Sequence, residues 1–425
     1  MLPVSRCPLI RWRLKGGRYR AVRARAVLRS KCRYCDFDSR SFAPCDLDAA
    51  LDAYFEHLYV RLDAYGNAGA LRQIRTVYVG GGTPSLAGER LVKLARRISA
   101  WCKPVEFTCE ANPESLTSQL TAALAGVGVT RISLGVQTLD NDELAAIGRI
   151  HDAEQALEAI ATVKDVGLDV SCDLMCGLPG QTAASWKSTL DGVLTAAPHH
   201  VSVYPLTLEE GTPLYRMACR DESLEPDEDF QAACMDVARE RLGSAGYHPY
   251  EVASYALDGH ECAHNIAYWT GRGYLGLGRS AAGMLDAEDF DRLAGLYPDV
   301  PARGEAHRVR LVQRDDAATT FDVEYLSQRE AVAEDLMLAC RMTRGIGPEL
   351  LVHSASVIAA DELAAACDRA LELGLATWVP DHVEGHAGRV TSKDVIAGRS
   401  CARLAPTHLG WLDGNMLFEL FWGLA

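Results

Sequence analysis

Between Thr76 and Tyr204, five short apolar runs alternate with stretches of helical periodicity. The runs are Thr76–Val79, Val105–Cys109, Arg131–Gly135, Leu168–Leu174 and His200–Tyr204. They are rich in Val, Ile, Leu and Tyr, as strands buried on both faces must be. The helical patterns between them are Glu89–Trp101, Ser115–Ala125, Asn141–Ile147, Ala153–Val166 and Thr182–Ala196. Strand–helix repeats of this spacing predict right-handed crossovers and an α/β domain on a parallel sheet, open or rolled into a barrel. Ligands on such sheets sit at the carboxyl ends of the strands, so the chemistry is expected in the loops that follow them.

Beyond about residue 210 the pattern changes. A helix near Asp227–Gly243 leads to a Tyr/Gly-rich segment, Tyr247–Gly283, and then to a charged, irregular stretch around 285–327. A compact helical region starts near Arg329, with Arg329–Thr343 and Ala359–Leu373 as its clearest helices, and Pro380–Thr407 reads as a loop. The expected division is therefore a main domain over 29–283, an irregular linker over 284–328 and a smaller helical domain over 329–425. Residues 1–28 stand apart. The first 31 residues hold ten Lys/Arg and no acid, which leaves 33 basic against 57 acidic residues for the rest. Such a start is read as a leader peptide, as a basic arm without fixed structure, or as a stretch out of frame.

The overall balance of −14 argues against a nucleic-acid partner. No run of 18 apolar residues offers a membrane span. The 14 cysteines are scattered and form no short disulfide framework, which points to a reducing, cytoplasmic compartment.

Two cysteines, Cys32 and Cys35, are spaced to aim both thiolates inward from one turn, as in metal and cluster sites. Alone, that spacing is weak evidence. Gly80-Gly81-Gly82-Thr83-Pro84-Ser85 follows the run Thr76–Val79, where glycines let a ligand touch the backbone. A bare glycine triplet is more often a tight turn. The odds change because Glu110, Gln137, Arg149 and Asp173 lie at or near the ends of the following units. Carboxylates, an amide and a guanidinium in that series suit a small polar ligand.

In this order the motifs resemble the radical S-adenosylmethionine (SAM) core of proteins related to oxygen-independent coproporphyrinogen III oxidase, from about Arg29 onward. The resemblance implies an incomplete parallel (β/α)6 barrel with a smaller, mainly helical C-terminal domain. It implies a [4Fe–4S] cluster held by three cysteines in a CxxxCxxC loop, two of them Cys32 and Cys35. It also implies a SAM site lined by Tyr34, Gly81, Gly82, Thr83, Glu110, Gln137, Arg149 and Asp173. The oxidase carries a further cysteine after its cluster motif, and here Cys35 is followed by Asp36 and Phe37. His264-Asn265-Ile266-Ala267-Tyr268-Trp269 instead matches the HNxxYW motif of the heme-chaperone HemW branch, whose histidine is a heme ligand. His264 is accordingly expected as a partly exposed heme ligand. Two neighbouring motifs depart from the family pattern: Gly278-Arg279-Ser280-Ala281-Ala282-Gly283 stands for Gly-Pro-Gly-Ala-His-Ser, and Ala253-Ser254-Tyr255-Ala256 for Ser-Asn-Phe-Ala.

The larger departure is at the cluster, where Leu28 occupies the place of the first cysteine. The family's first strand reads roughly LYVHVPFC; here the chain reads Ala21-Val22-Arg23-Ala24-Arg25-Ala26-Val27-Leu28. Codons GCT GTA CGT GCA CGT GCC GTT CTG, read one nucleotide later and completed by one extra C before the Arg29 codon, give CTG TAC GTG CAC GTG CCG TTC TGC, which is LYVHVPFC. The codons are chosen to fit, yet fixed first and second bases forbid most residues at each step. One lost nucleotide near Leu28/Arg29 accounts for the segment; a genuine replacement of a ligand is the alternative. As written, Arg18, Arg20, Arg23 and Arg25 make a buried first strand untenable.

The expected function is a heme chaperone that binds heme and a SAM-ligated cluster and passes heme to acceptor proteins, with at most peripheral membrane contact. The alternatives are coproporphyrinogen III dehydrogenation in porphyrin biosynthesis and a cluster-deficient remnant.

Overall fold

The computed structural model describes residues 32–36, 44–380 and 390–425. The basic N-terminus, and with it the expectations for residues 1–28, lies outside the described residues.

Five parallel strands form the heart of the fold: β1 (Thr76–Val79), β2 (Glu106–Ala111), β3 (Arg131–Gln137), β4 (Asp169–Cys176) and β5 (His200–Pro205). Two short strands, β6 (His248–Pro249) and β7 (Ser254–Ala256), extend the β5 edge antiparallel, giving a seven-stranded sheet in the order β1-β2-β3-β4-β5-β7-β6. Among the described residues this sheet does not close into a barrel, because β1 has no partner on its outer side. The strands are almost continuously buried, Arg131–Gln137 having one half-exposed position in seven, which is the pattern of a sheet covered on both faces.

Crossover helices return the chain between the parallel strands. The helix Glu89–Trp101 buries Leu91, Val92, Leu94, Ala95 and Ile98, the i, i+3, i+4 stripe of a helix against a core. Ala153–Asp165 and Ala183–Ala196 each begin with a capping box, Asp152 with Gln155 and Thr182 with Ser185. These side chains fix where each helix starts, and so how each loop leaves the strand before it.

Two expectations fail. The stretch around 285–327 carries an antiparallel sheet of β8 (Ala282–Asp286), β9 (Arg308–Gln313) and β10 (Phe321–Leu326), not an irregular linker. The polar composition hid it. In β9 the half-exposed positions are Arg308, Arg310 and Val312, and the arginines are paired with Asp335 at 2.8 Å and with Glu324 and Glu334. Likewise, Pro380–Thr407 is not all loop. A helix covers Ser392–Ile396, and β11 (Ala376–Pro380) pairs antiparallel with β12 (Ala402–Pro406). Strands this short leave almost no periodicity to read, and the pairing joins segments distant in sequence. The helices from Gln328 to Trp422 gather around their own core of Leu336, Ile346, Leu351, Leu363, Cys367 and Phe421.

Candidate functional site

The loop after β1 is built around Glu110. Its carboxylate accepts the Gly81 N–H at 2.7 Å and the Tyr78 hydroxyl at 2.7 Å. The approach is close enough that a Cβ at Gly80 would lie 2.6 Å from the Glu110 carboxyl carbon. Gly81 and Gly82 have φ of 92° and 68°, a region that costs other residues energy. The loop is thus held tightly against the end of β2. Asn112 closes the other side, donating to Thr83 Oγ1 at 3.0 Å and to Glu114 at 3.1 Å.

Cys32 and Cys35 sit on a turn in which the Cys35 N–H donates to the Cys32 carbonyl at 3.3 Å. Arg33 docks that turn: its N–H donates to the Ile147 carbonyl at 2.9 Å and its carbonyl accepts from the Leu214 N–H at 2.8 Å. Tyr34 packs against a buried cluster of Ile147, Met175, Leu178, Leu206 and Leu214. Burial pushes its hydroxyl pKa up, outweighing the opposing pull of Arg149.

Arg149 joins the Cys32–Cys35 turn to the strand ends. Its guanidinium donates to Asn112 Oδ1 at 3.2 Å and to the Gly135 carbonyl, and lies 3.5 Å from Cys32 Sγ. Its Nε is buried without a hydrogen-bond partner among the described residues. Cys32, Thr83, Asn112, Glu114, Gly148 and Arg149 surround one small hollow of about 20 Å³. A Cβ at Gly135 would lie 2.9 Å from Gln137 Nε2, which puts that amide beside the Arg149 contact. Gln137 itself takes φ of 70° at a bulge in β3.

Asp173 lies inside β4, opposite Gly135 on one side and Ser202 on the other. Its carboxylate accepts from the Ser133 hydroxyl at 3.1 Å. Burial, and then the neighbouring Glu110 charge, push its pKa from 3.8 to about 7. Two carboxylates facing one region, one of them held largely protonated, are an arrangement that a cationic ligand would relieve.

His264 is placed differently from the expectation. It opens the helix Ala263–Trp269, and its ring is 1% exposed, not partly exposed. Nδ1 lies 3.0 Å from Thr76 Oγ1, and the ring stacks on Tyr78 at 4.9 Å and 7°. The helix is anchored at the amino ends of the strands by Glu106, whose carboxylate accepts the Ala263 N–H at 2.6 Å and the His264 N–H at 2.8 Å. Enclosed in this way, the imidazole presents no open edge to a macrocycle while the helix rests on β1. Tyr78 connects the two regions, its ring on His264 and its hydroxyl on Glu110.

The sequence alone gave no role to Asn112, Tyr78, Glu106 or Glu114. Asn112 was findable, since it follows β2 directly. Glu106 and Tyr78 carry no local signal, because the HNxxYW helix they meet lies more than 150 positions away.

With this geometry established, the relatives are informative. A family model described as the Radical SAM superfamily matches residues 29–193. The heme chaperone HemW of Bacillus subtilis (strain 168) is 30% identical over 321 residues, 74% of this chain and 81% of that one. The heme chaperone HemW of Escherichia coli (strain K12) is 33% identical over 312 residues, 72% of this chain and 80% of that one. The chain belongs to the HemW family of radical SAM proteins. The fold of this HemW-family chain also matches the solved coproporphyrinogen III oxidase (HemN) from Escherichia coli, with a TM-score of 0.70 at 17% identity over 95% of this chain and 90% of that one. No helix among its described residues is long and apolar enough to cross a membrane.

Proposed function

We propose that this chain binds SAM at the carboxyl ends of β1 to β4 and carries heme to acceptor proteins. The observation that bears most weight is the convergence of Gly81, Glu110, Asn112 and Arg149 with the Cys32 turn. In this reading Gly81, Gly82 and Thr83 give backbone contact to the methionine end of SAM. Arg149, with its unpartnered Nε, and Gln137 meet its polar groups. Glu110 and Asp173 face its positive charge, and Tyr34 covers the site from the thiolate side. For a [4Fe–4S] cluster the fit is incomplete: Cys32 and Cys35 are two thiolates, and Leu28 stands where the family has the third. No step of the proposed function therefore depends on a cluster. For heme, the support is the family name and the HNxxYW helix. The enclosed His264 serves here to seat that helix, and iron contact at His264 would require the helix to lift from β1. The alternative, oxidation of coproporphyrinogen, is disfavoured by Asp36 and Phe37 after Cys35.

Hemin titration of the full chain tests the heme half. A Soret band that shifts and saturates at one heme per chain is expected. The loaded chain should then surrender heme to an apo-acceptor faster than to apomyoglobin used as a passive trap. Absence of a saturable Soret change, or equal release rates to every acceptor tried, would count against a chaperone.

Asp173 offers a test by pH. The folded chain keeps this group protonated up to about pH 7, whereas its ordinary value is 3.8. Between these values the folded state binds more protons than the unfolded one, so stability falls as pH rises from about 4 to about 7. Asp173→Asn should flatten that decline, by on the order of 2–4 kcal/mol, in urea unfolding at pH 5 and pH 8. SAM, whose sulfonium favours the ionised carboxylate, should release a proton on binding in the same window. An unchanged pH dependence in the variant would rule out Asp173 as its source.

A further inference from the structure

At the amino ends of the parallel strands, opposite the loops that carry Glu110 and Arg149, three polar side chains meet. Asp169 opens β4, His199 stands directly before β5, and His260 lies in the loop between β7 and the HNxxYW helix. One ligand atom from each lies within 4.8 Å of the others. His260 Nδ1 is 3.0 Å from Asp169 Oδ1, and His199 Nδ1 is 4.0 Å from the same oxygen. The two imidazole rings are 4.6 Å apart. The three side chains are 29–33% exposed, so an ion can reach them from solvent.

The surrounding charges leave this group available. Arg131 donates to Asp169 Oδ2 at 3.3 Å and lies 3.6 Å from Glu106, so Oδ1 is left to the imidazoles. Lys164, the other nearby cation, donates to the carbonyls of Ala196 and Ala197 at 2.7 and 3.0 Å. Burial pushes the His199 pKa down by more than Asp169 raises it, which keeps the ring neutral at pH 7, the form that binds metals. A hydrogen-bonded Asp–His pair needs only one imidazole, and here a second is packed against it. Ligand atoms around a tetrahedral zinc ion stand about 3.3 Å apart, given bonds of about 2.0–2.1 Å. His260 and Asp169 are already near that spacing. His199 Nδ1 accepts the Val170 N–H at 3.1 Å, and its ring must turn from that donor to join them.

We propose that Asp169, His199 and His260 bind a divalent zinc-type ion with water in the fourth position, and that the ion ties the loop before the HNxxYW helix to the amino ends of β4 and β5. Two imidazoles and one carboxylate are a donor set that late first-row divalent ions favour. His260 lies two residues before Cys262, the cap of that helix, so a metal bond at His260 restrains the helix start. Backbone contacts already set the loop there: the Leu257 N–H donates to the His199 carbonyl at 3.1 Å, and Arg131 donates to the His260 carbonyl at 2.7 Å. The inference is independent of the SAM and heme readings.

The test is a calorimetric zinc titration of the full chain, without a histidine tag and carrying Cys32→Ala/Cys35→Ala to remove the competing thiol pair. This parent should bind one zinc ion per chain. His199→Ala/His260→Ala on the same background should weaken binding at least about tenfold, the smallest loss that even an outer-shell change usually causes. His248→Ala, which removes an imidazole paired with Glu261 outside the group, should leave the affinity unchanged. Zinc should also slow hydrogen exchange at Ala263 and His264 in the parent. No saturable zinc binding, or equal affinity in the parent and the double-histidine variant, would overturn the site. Binding without slower exchange would overturn the tie to the helix and leave the site standing. If the double-histidine variant melts early by circular dichroism, acylation of the parent by diethylpyrocarbonate decides. Zinc should protect His199 and His260 but not His248, and equal labelling with and without zinc overturns the proposal.

Discussion

Reconstituted with iron and sulfide, the chain as written should retain little cluster, whereas Leu28→Cys should raise the bound iron several-fold. A cluster of the expected type needs three thiolates at CxxxCxxC spacing, and an aliphatic side chain cannot coordinate iron. The Cys32–Cys35 turn is already docked by Arg33 onto Ile147 and Leu214, so two of the three ligands are preset. Leu28→Cys completes the spacing but leaves four arginines from Arg18 to Arg25 in the place of an apolar strand. Inserting one nucleotide at the Leu28/Arg29 codons should do more. It would supply LYVHVPFC, a strand able to pair with the outer edge of β1, which has no partner among the described residues. The readouts are iron and sulfide per chain, visible absorption and soluble yield. A full cluster on the unrepaired chain would refute the expectation, as would genomic DNA whose shifted frame does not encode LYVHVPFC or a close equivalent.

Arg131→Leu should destabilise the chain by about 3–5 kcal/mol, a large part of the roughly 5–15 kcal/mol that holds a domain folded. Arg131 has 4% of its side chain exposed and lies 3.6 Å from Glu106 and 3.3 Å from Asp169. It also donates to the His260 carbonyl at 2.7 Å. Removing it leaves Glu106 buried without its cation. Glu106 in turn holds the first turn of the HNxxYW helix, so the same substitution should loosen that helix. Urea unfolding measures the first effect, and hydrogen exchange at Ala263 and His264 the second. Glu106→Gln should act in the same direction, and the double variant should cost less than the sum, because the two residues share one network. A loss below about 1 kcal/mol would mean that the pair is solvated or replaceable.

Some of this was written plainly in the order of residues. The five parallel strands were legible to within a few residues, because a strand buried on both faces must be apolar along its length and the helices between must show a 3.6-residue stripe. The carboxyl-end loops followed from topology, since a parallel sheet puts every strand–helix turn on one side. That is why Gly81, Glu110 and Arg149 could be picked out as neighbours although they span 69 positions. The two cysteines, Cys32 and Cys35, were legible as a pair from their spacing alone.

Other features depended on pairings between distant segments. The β8–β10 sheet was invisible because Arg308 and Arg310 face carboxylates from Glu324, Glu334 and Asp335, and in the linear sequence such partners look like solvent-facing charges. His264 was picked out from the sequence as the centre of a motif, yet its exposure was set by Thr76, Tyr78 and Glu106, more than 150 residues earlier. The group of Asp169, His199 and His260 exists only because the loops before β5 and after β7 meet at the start of β4. A periodic pattern reports which face of an element is apolar, since that is fixed by backbone geometry. Which charge meets which, and whether an imidazole ends at a surface or inside a core, depends on how those faces pack, and packing was decided by the tertiary structure alone.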